Sequence, residues 1–373
     1  MKLRINYRLV VLLVLLVGLA AREVALELRP SFLRPGLHLF AYVGNVGDGT
    51  VTAVDLVKLA PAATISVGAG PTGIRAHPTR KEIWGLSSAG GYAWVLDAPS
   101  NQIVARIPVG MSPYALDFAP DGSRAYVAAT GSNSLVAIDC ATRAVVARAH
   151  AGRRPWIARV SPDGLLLVVS NRDDGTVTVL DAATLQTRGT IAVVPDPEQI
   201  AILPDSSKAF VTSGSRNQIS VVDLKRGALL ADLALGGTPD SLVLKPDGGE
   251  LYIPSSNAHG LLIVNTQTNE VGDFLRLGMA PAAATMTADA STLYVSDPAA
   301  GHVVPVAINT RQVARPIAVG QDPRTCLMTP GDDILVIVDS ASDELAIVRA
   351  KTSGLITLIP TGSHPRDLAI KVF

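Results

Sequence analysis

The sequence predicts an all-β protein, a β-propeller built from four-stranded blades of 42 residues, and three observations carry that expectation. A Gly-x-x-Pro turn recurs with prolines at Pro71, Pro113, Pro155, Pro197, Pro239, Pro281, Pro323 and Pro365, each 42 residues from the next. A fixed period of this size marks a repeat architecture, in which each unit buries its core against a neighbour. Within one period the chain holds four short apolar runs separated by Gly, Pro, Asn and Asp, the spacing of one blade. The composition agrees: 48% of residues are hydrophobic, 17% charged and only 4% aromatic, so the core is made of Val, Leu, Ile and Ala.

Taken in order, the chain opens with Lys2, Arg4 and Arg8 and then an apolar run from Leu9 to Ala21. That run is shorter than the roughly 20 residues that span a bilayer. A basic start, a short apolar core and the small residues Gly18, Ala20 and Ala21 predict a signal peptide over 1–21, with an uncleaved membrane anchor as the alternative. Residues 22–36 read as a linker, and 37–373 as a single propeller domain. An exported protein, periplasmic or at the cell surface, follows from the leader.

The unit at Pro113 shows why each run is a strand. Ala115 to Ala119 is short and apolar, and Pro120-Asp121-Gly122 then turns the chain. Ala125 to Ala129 is a second strand, Gly131-Ser132-Asn133 a hairpin, Leu135 to Asp139 a third strand and Val145 to Ala149 a fourth. Thirteen residues after the marker proline stand Trp84, Tyr126, Val168, Phe210, Tyr252, Tyr294 and Val336, expected to fill the space between blades. Twenty-six residues after it stand Asp97, Asp139, Asp181, Asp223 and Asn265, expected to cap tight turns through their own backbone. The marker glycine, present everywhere but at Val194, reads as backbone punctuation.

The ends set the number of blades. Seven units run from Pro71 to His364. Strands at Phe40 to Gly44, Val51 to Asp55 and Thr64 to Val67 precede them, and one at Asp367 to Phe373 follows. Three N-terminal strands and one C-terminal strand complete an eighth blade and leave no open edge between first and last. Seven blades is the alternative, should the end strands pair differently.

Formal charge is zero, from 32 basic and 32 acidic side chains, which argues against a nucleic-acid partner. Cys140 and Cys326 fall in distant repeats and read as buried thiols. His259, His302 and His364 do not converge as metal ligands, and His77 and His150 occupy strand positions expected to be packed. No cofactor, metal or catalytic residue is expected.

The turns between blades ring the mouth of the channel, with the hairpins between second and third strands farther out on the same face. The free positions of those turns are therefore the candidate binding positions. Two basic sectors stand out, Arg153 and Arg154 beside Trp156, and Arg324 beside His364 and Arg366. Arginine offers a planar fork of donors to carboxylates and other anions.

The strings YVGN (Tyr42 to Asn45), YVAAT (Tyr126 to Thr130), LVVSN (Leu167 to Asn171) and YVSD (Tyr294 to Asp297) resemble the YVTN-family β-propeller repeat, as does TVTVLDAAT (Thr176 to Thr184). The resemblance runs from residue 40 to the end. It implies the propeller fold and an exported or surface protein, and assigns no activity. The count of eight departs from the usual seven, and brings to mind by fold alone the eight-bladed d-type haem domain of cytochrome-type nitrite reductases.

The expected function is an exported, non-catalytic binding scaffold, monomeric, that meets a protein, glycan or small anionic ligand through its channel-mouth face. It touches a membrane only through an N-terminal anchor. A periplasmic cofactor-handling or lactone-hydrolysing propeller enzyme and a surface-layer or adhesive protein are the alternatives.

Overall fold

A computed structural model describes residues 37–373; the expected leader and linker lie outside the described residues. Among the described residues, strands β1 to β32 form eight antiparallel sheets of four strands each. The ring is an eight-bladed propeller. Blade one closes it: β1 (Leu39–Asn45), β2 (Thr50–Asp55) and β3 (Ala60–Ser66) are joined by β32 (Pro365–Val372), in the order β3-β2-β1-β32. Tyr42 stands opposite Ala369 in that register, and Leu39 opposite Val372.

Every other blade takes four consecutive strands, the first innermost. The inner strands are β4 (Pro71–Ala76), β8 (Pro113–Phe118), β12 (Pro155–Val160), β16 (Pro197–Ile202), β20 (Val243–Leu244), β24 (Ala284–Met286) and β28 (Pro323–Met328). In blade seven the outermost strand shrinks to Ile317–Ala318, just after Pro316, which has no N–H to give to a ladder.

Burial grades outward. The second strand of blade four, Leu166–Asn171, is buried along its whole length. The outermost strand of blade three, Ala144–His150, never becomes fully buried and alternates between exposed and half-buried residues, as a strand with one wet face must. His150 ends that strand and is exposed, so its expected packing is corrected: an outermost strand has no next sheet to cover it. His77 is buried, with Nδ1 accepting the amides of Thr79 and Arg80. Its Nε2 is therefore the protonated nitrogen, and it donates to the Gly122 carbonyl at 2.9 Å. Cys140 and Cys326 are buried free thiols.

The large residues thirteen positions after the marker do join blades. Tyr126 donates to the Ala182 carbonyl of the next blade at 2.7 Å, and Tyr294 to Ala350 at 3.1 Å. Around them runs a belt the repeat spacing conceals. Glu82 accepts from Trp84 Nε1 and from Arg143 of the next blade, both at 2.9 Å. Glu250 engages Tyr252 and Arg311 in the same way, and Lys208 reaches Asn269 at 2.9 Å. Each pair is 61 residues apart and binds one blade to the next. The turn acids cap as expected: Asp139 accepts the amides of Ala141 and Thr142, and Asp181 those of Ala183 and Thr184.

The marker glycine is needed for closeness as well as for its turn. At Gly152, Gly320 and Gly362 a Cβ would come within 2.6–2.7 Å of Asn171, Asp339 and Asn45, each the last residue of a second strand. In the blade where Val194 replaces the glycine, the residue at that place is Ser213, whose hydroxyl turns to the Pro195 carbonyl.

Candidate functional site

The inner strands descend from the mouth, so the residue after each marker proline sits at the rim and the residue four after it lies deeper. Rim positions of blades eight and one carry Arg324 and Arg366; the deeper positions of blades two, three and four carry Arg75, Asp117 and Arg159. A cavity of about 530 Å³ opens at the mouth, and Arg75, Arg159, Arg324 and Arg366 all line it.

The carboxylates nearby are already committed. Asp367, the one acidic residue lining this cavity, accepts the amides of Ile74 at 2.8 Å and Leu368 at 3.0 Å. Asp117 accepts the amide of Val160 at 2.9 Å. Both acids thus bind neighbouring blades together by the same kind of contact. Burial, and then the charge of Arg75, lower the pKa of Arg159, while Asp117 and Asp367 oppose the shift. Arginine remains a cation through such a shift. Arg324 pairs with Asp322 at 2.7 Å, and Arg366 stands exposed with its carbonyl held by Thr325.

The other expected residues share the mouth face but stand outside the lining of this cavity. Arg153 is held on the hairpin by Asp174 at 2.5 Å, and Arg154 reaches Asp173 at 3.5 Å. Trp156 is stacked on Tyr114 with ring centroids 3.7 Å apart, and the guanidinium of Arg172 lies 4.6 Å from its ring. Arg172 in turn is paired with Asp196 at 3.2 Å and Glu198 at 2.9 Å. Burial raises the pKa of Glu198, with Arg172 opposing and Asp196 adding to the shift. His364 is exposed and bonded to the Ser363 hydroxyl through Nδ1 at 2.8 Å. Charge is therefore divided around the mouth: basic on blades eight, one, two and four, acidic on blades five and six with Glu198 and Asp240.

Sequence reasoning found the rim pair and missed the deeper residues Arg75, Asp117 and Arg159, as well as Arg172. The signal was present. All three deeper residues stand four positions after a marker proline, as charges inside runs otherwise read as apolar inner strands. Arg172 lies in a hairpin, and only the closeness of that hairpin to the next marker turn makes it part of the mouth.

The profile of the YNCE-like beta-propeller family matches residues 122–297. No match to a curated protein was found. Among solved structures, dihydro-heme d1 dehydrogenase NirN in complex with DHE is similar at a TM-score of 0.76 and 16% identity, over 91% of this chain and 76% of that one. Apo AztD from Citrobacter koseri is similar at 0.69 and 13% identity, over 90% and 98%. Kuenenia stuttgartiensis hydrazine synthase is similar at 0.60 and 15%, over 75% and 95%. At these identities the likeness is one of fold.

Proposed function

We propose that this propeller of the YVTN/YncE repeat type is an exported, non-catalytic binding protein whose channel-mouth face takes up a small anionic ligand. One observation carries the reading: four arginines line a single cavity whose one lining carboxylate is occupied by backbone amides. Arg324 is paired with Asp322 and Arg75 donates to the Ile74 carbonyl. Four guanidinium groups still outnumber the three acids beside them, Asp117, Asp322 and Asp367, and their fork matches carboxylate and phosphate oxygens. The set is suited to holding an anion rather than moving protons, because arginine does not give up its proton near neutral pH. Arg324 and Arg366 make the first contact at the rim, and Arg153, Arg154, Trp156 and His364 border the same face. Export rests on the basic and apolar leader over 1–21.

Calorimetric titration with inorganic phosphate and with succinate tests the reading. Binding is expected for the natural chain and is expected to weaken about tenfold or more when Arg324→Ala and Arg366→Ala are combined. The melting temperature of that variant should stay close to that of the natural chain, since both side chains are substantially exposed. Absence of binding to either anion, or binding indifferent to the two substitutions, overturns it.

A further inference from the structure

The arginines of the mouth form two pairs at two depths. Arg324 and Arg366 stand one residue after their marker prolines, on neighbouring blades eight and one. Arg75 and Arg159 stand four residues after theirs, on blades two and four. Three residues separate the levels, but a register shift in the inner strands makes them advance only two residues of the neighbouring strand, about 7 Å along the channel at roughly 3.3 Å per residue. The deeper pair is close enough that the charge of Arg75 acts on Arg159. On blades two, three and four the wall between the levels is made of Gly73, Ala115 and Ile157, which offer no side-chain polar atom. Asp367, Gln199 and Thr325 stand at the same level on blades one, five and eight, so the apolar strip covers one side of the channel. Both pairs line one continuous cavity.

From this we infer that the ligand is a linear molecule with an acidic group at each end and an apolar middle, an α,ω-dicarboxylate, lying along the channel. One carboxylate meets Arg324 and Arg366 at the rim. The other meets Arg75 and Arg159 below, and the hydrocarbon between them passes Gly73, Ala115 and Ile157. Neither deeper arginine is paired to a carboxylate within salt-bridge distance among the described residues, and the two acids near them, Asp117 and Asp367, are held by backbone amides. The inference rests on the anion-binding reading above and adds the number and spacing of the charges.

The test compares suberate, octanoate and succinate on the full chain by calorimetry. Suberate and octanoate have the same length and differ in the second carboxylate; succinate has both carboxylates but is too short to reach the two levels together. Suberate is expected to bind about tenfold or more tighter than either. Arg75→Gln with Arg159→Gln should bring suberate down to the octanoate level, with an unchanged melting temperature as the control for folding. Should that double variant fail to fold, each single substitution is measured, and either one is expected to narrow the gap between suberate and octanoate. Equal binding of suberate and octanoate overturns the inference, as does a gap that survives the deeper substitutions. If succinate binds through Arg324 and Arg366 while chain length has no effect, the anion-binding reading stands and only the two-level ligand falls.

Discussion

The Asp367 carboxylate accepts the backbone N–H of Ile74 at 2.8 Å, joining residues 293 apart in the chain. A bond of the same kind, two residues further along the inner strand, joins Asp117 and Val160 at 2.9 Å, where the partners are only 43 apart. The closing blade is thus fastened to its neighbour by a kind of contact used elsewhere in the ring, although its inner strand comes from the far end of the chain. Deleting Asp367 to Phe373 removes that bond, the pairing of β32 with β1 and the buried Leu368 and Ala369. It also exposes the edge of β1, including Tyr42 and Val43. Thermal melting followed by circular dichroism should fall by roughly 10 °C or more, or lose its cooperative transition. An unchanged melting curve would show that the ring does not depend on its closing strand.

The contact of Glu82 with Trp84 and Arg143 makes a second prediction. Glu82→Ala leaves the indole N–H of Trp84 without its acceptor and Arg143 without its partner. Trp84 is fully buried and Arg143 mostly so, which puts the loss at about 2–4 kcal/mol. Glu82→Gln keeps an acceptor for the indole and should cost less. Chemical denaturation of the three proteins checks the order, and equal stability of Glu82→Ala and the natural chain would count against a stabilising belt.

What could be read in advance follows from what the period controls. The marker turn, the strands and the eightfold count depend on short-range signals repeated every 42 residues, so they stand out even in one sequence. Contacts between blades obey another interval, 61 residues for Glu82 with Arg143 and for Glu250 with Arg311, and no local signal announces them. At the mouth, Arg324 and Arg366 were legible because they sit in a turn, where a charge draws notice. Arg75 and Arg159 were not, because single charges inside short apolar runs carry no turn signal to mark them. In a propeller the innermost strand has one face on the channel, so Arg75 and Arg159 are half-buried at the channel wall rather than enclosed in a core.

The glycines of the marker turn separate into two cases that mutation should distinguish. Gly236 has φ +72° and nothing within 4 Å of an added Cβ, so Gly236→Ala meets only backbone strain of about 1–2 kcal/mol. Gly320 has an ordinary backbone, but its Cβ would lie 2.7 Å from both Cβ and Cγ of Asp339 and 2.5 Å from the Ser342 hydroxyl. Gly320→Ala should therefore cost about 1–3 kcal/mol by crowding, and part of the loss should be relieved when Asp339→Gly, which removes both of those Asp339 atoms, is combined with it. No such relief is expected between Gly236→Ala and Asp339→Gly. A double-mutant cycle by denaturant unfolding measures both, and additivity at the Gly320–Asp339 pair would remove crowding as the explanation.

Asp339 makes the last prediction, and its sign follows from burial. Its side chain is fully buried, with Oδ2 accepting the Gly320 amide at 3.0 Å and Oδ1 without a hydrogen-bond partner. Burial, reinforced by the charges of Glu344 and Asp322, pushes its pKa up to about 7 against the Gly320 bond that lowers it. The folded protein therefore holds this proton between about pH 4 and pH 7, where the unfolded chain has released it. Stability from this group is present at acid pH and is lost as pH rises through that window, so the melting temperature should fall between pH 5 and pH 8 by a few degrees. Asn45 and Asn171 occupy the same place in their blades, both buried, and show that a neutral amide fits there. Asp339→Asn should flatten the pH dependence and raise the melting temperature at pH 8, while leaving it little changed at pH 5. A melting curve of Asp339→Asn that still declines over this range as steeply as the natural chain would place the titrating group elsewhere.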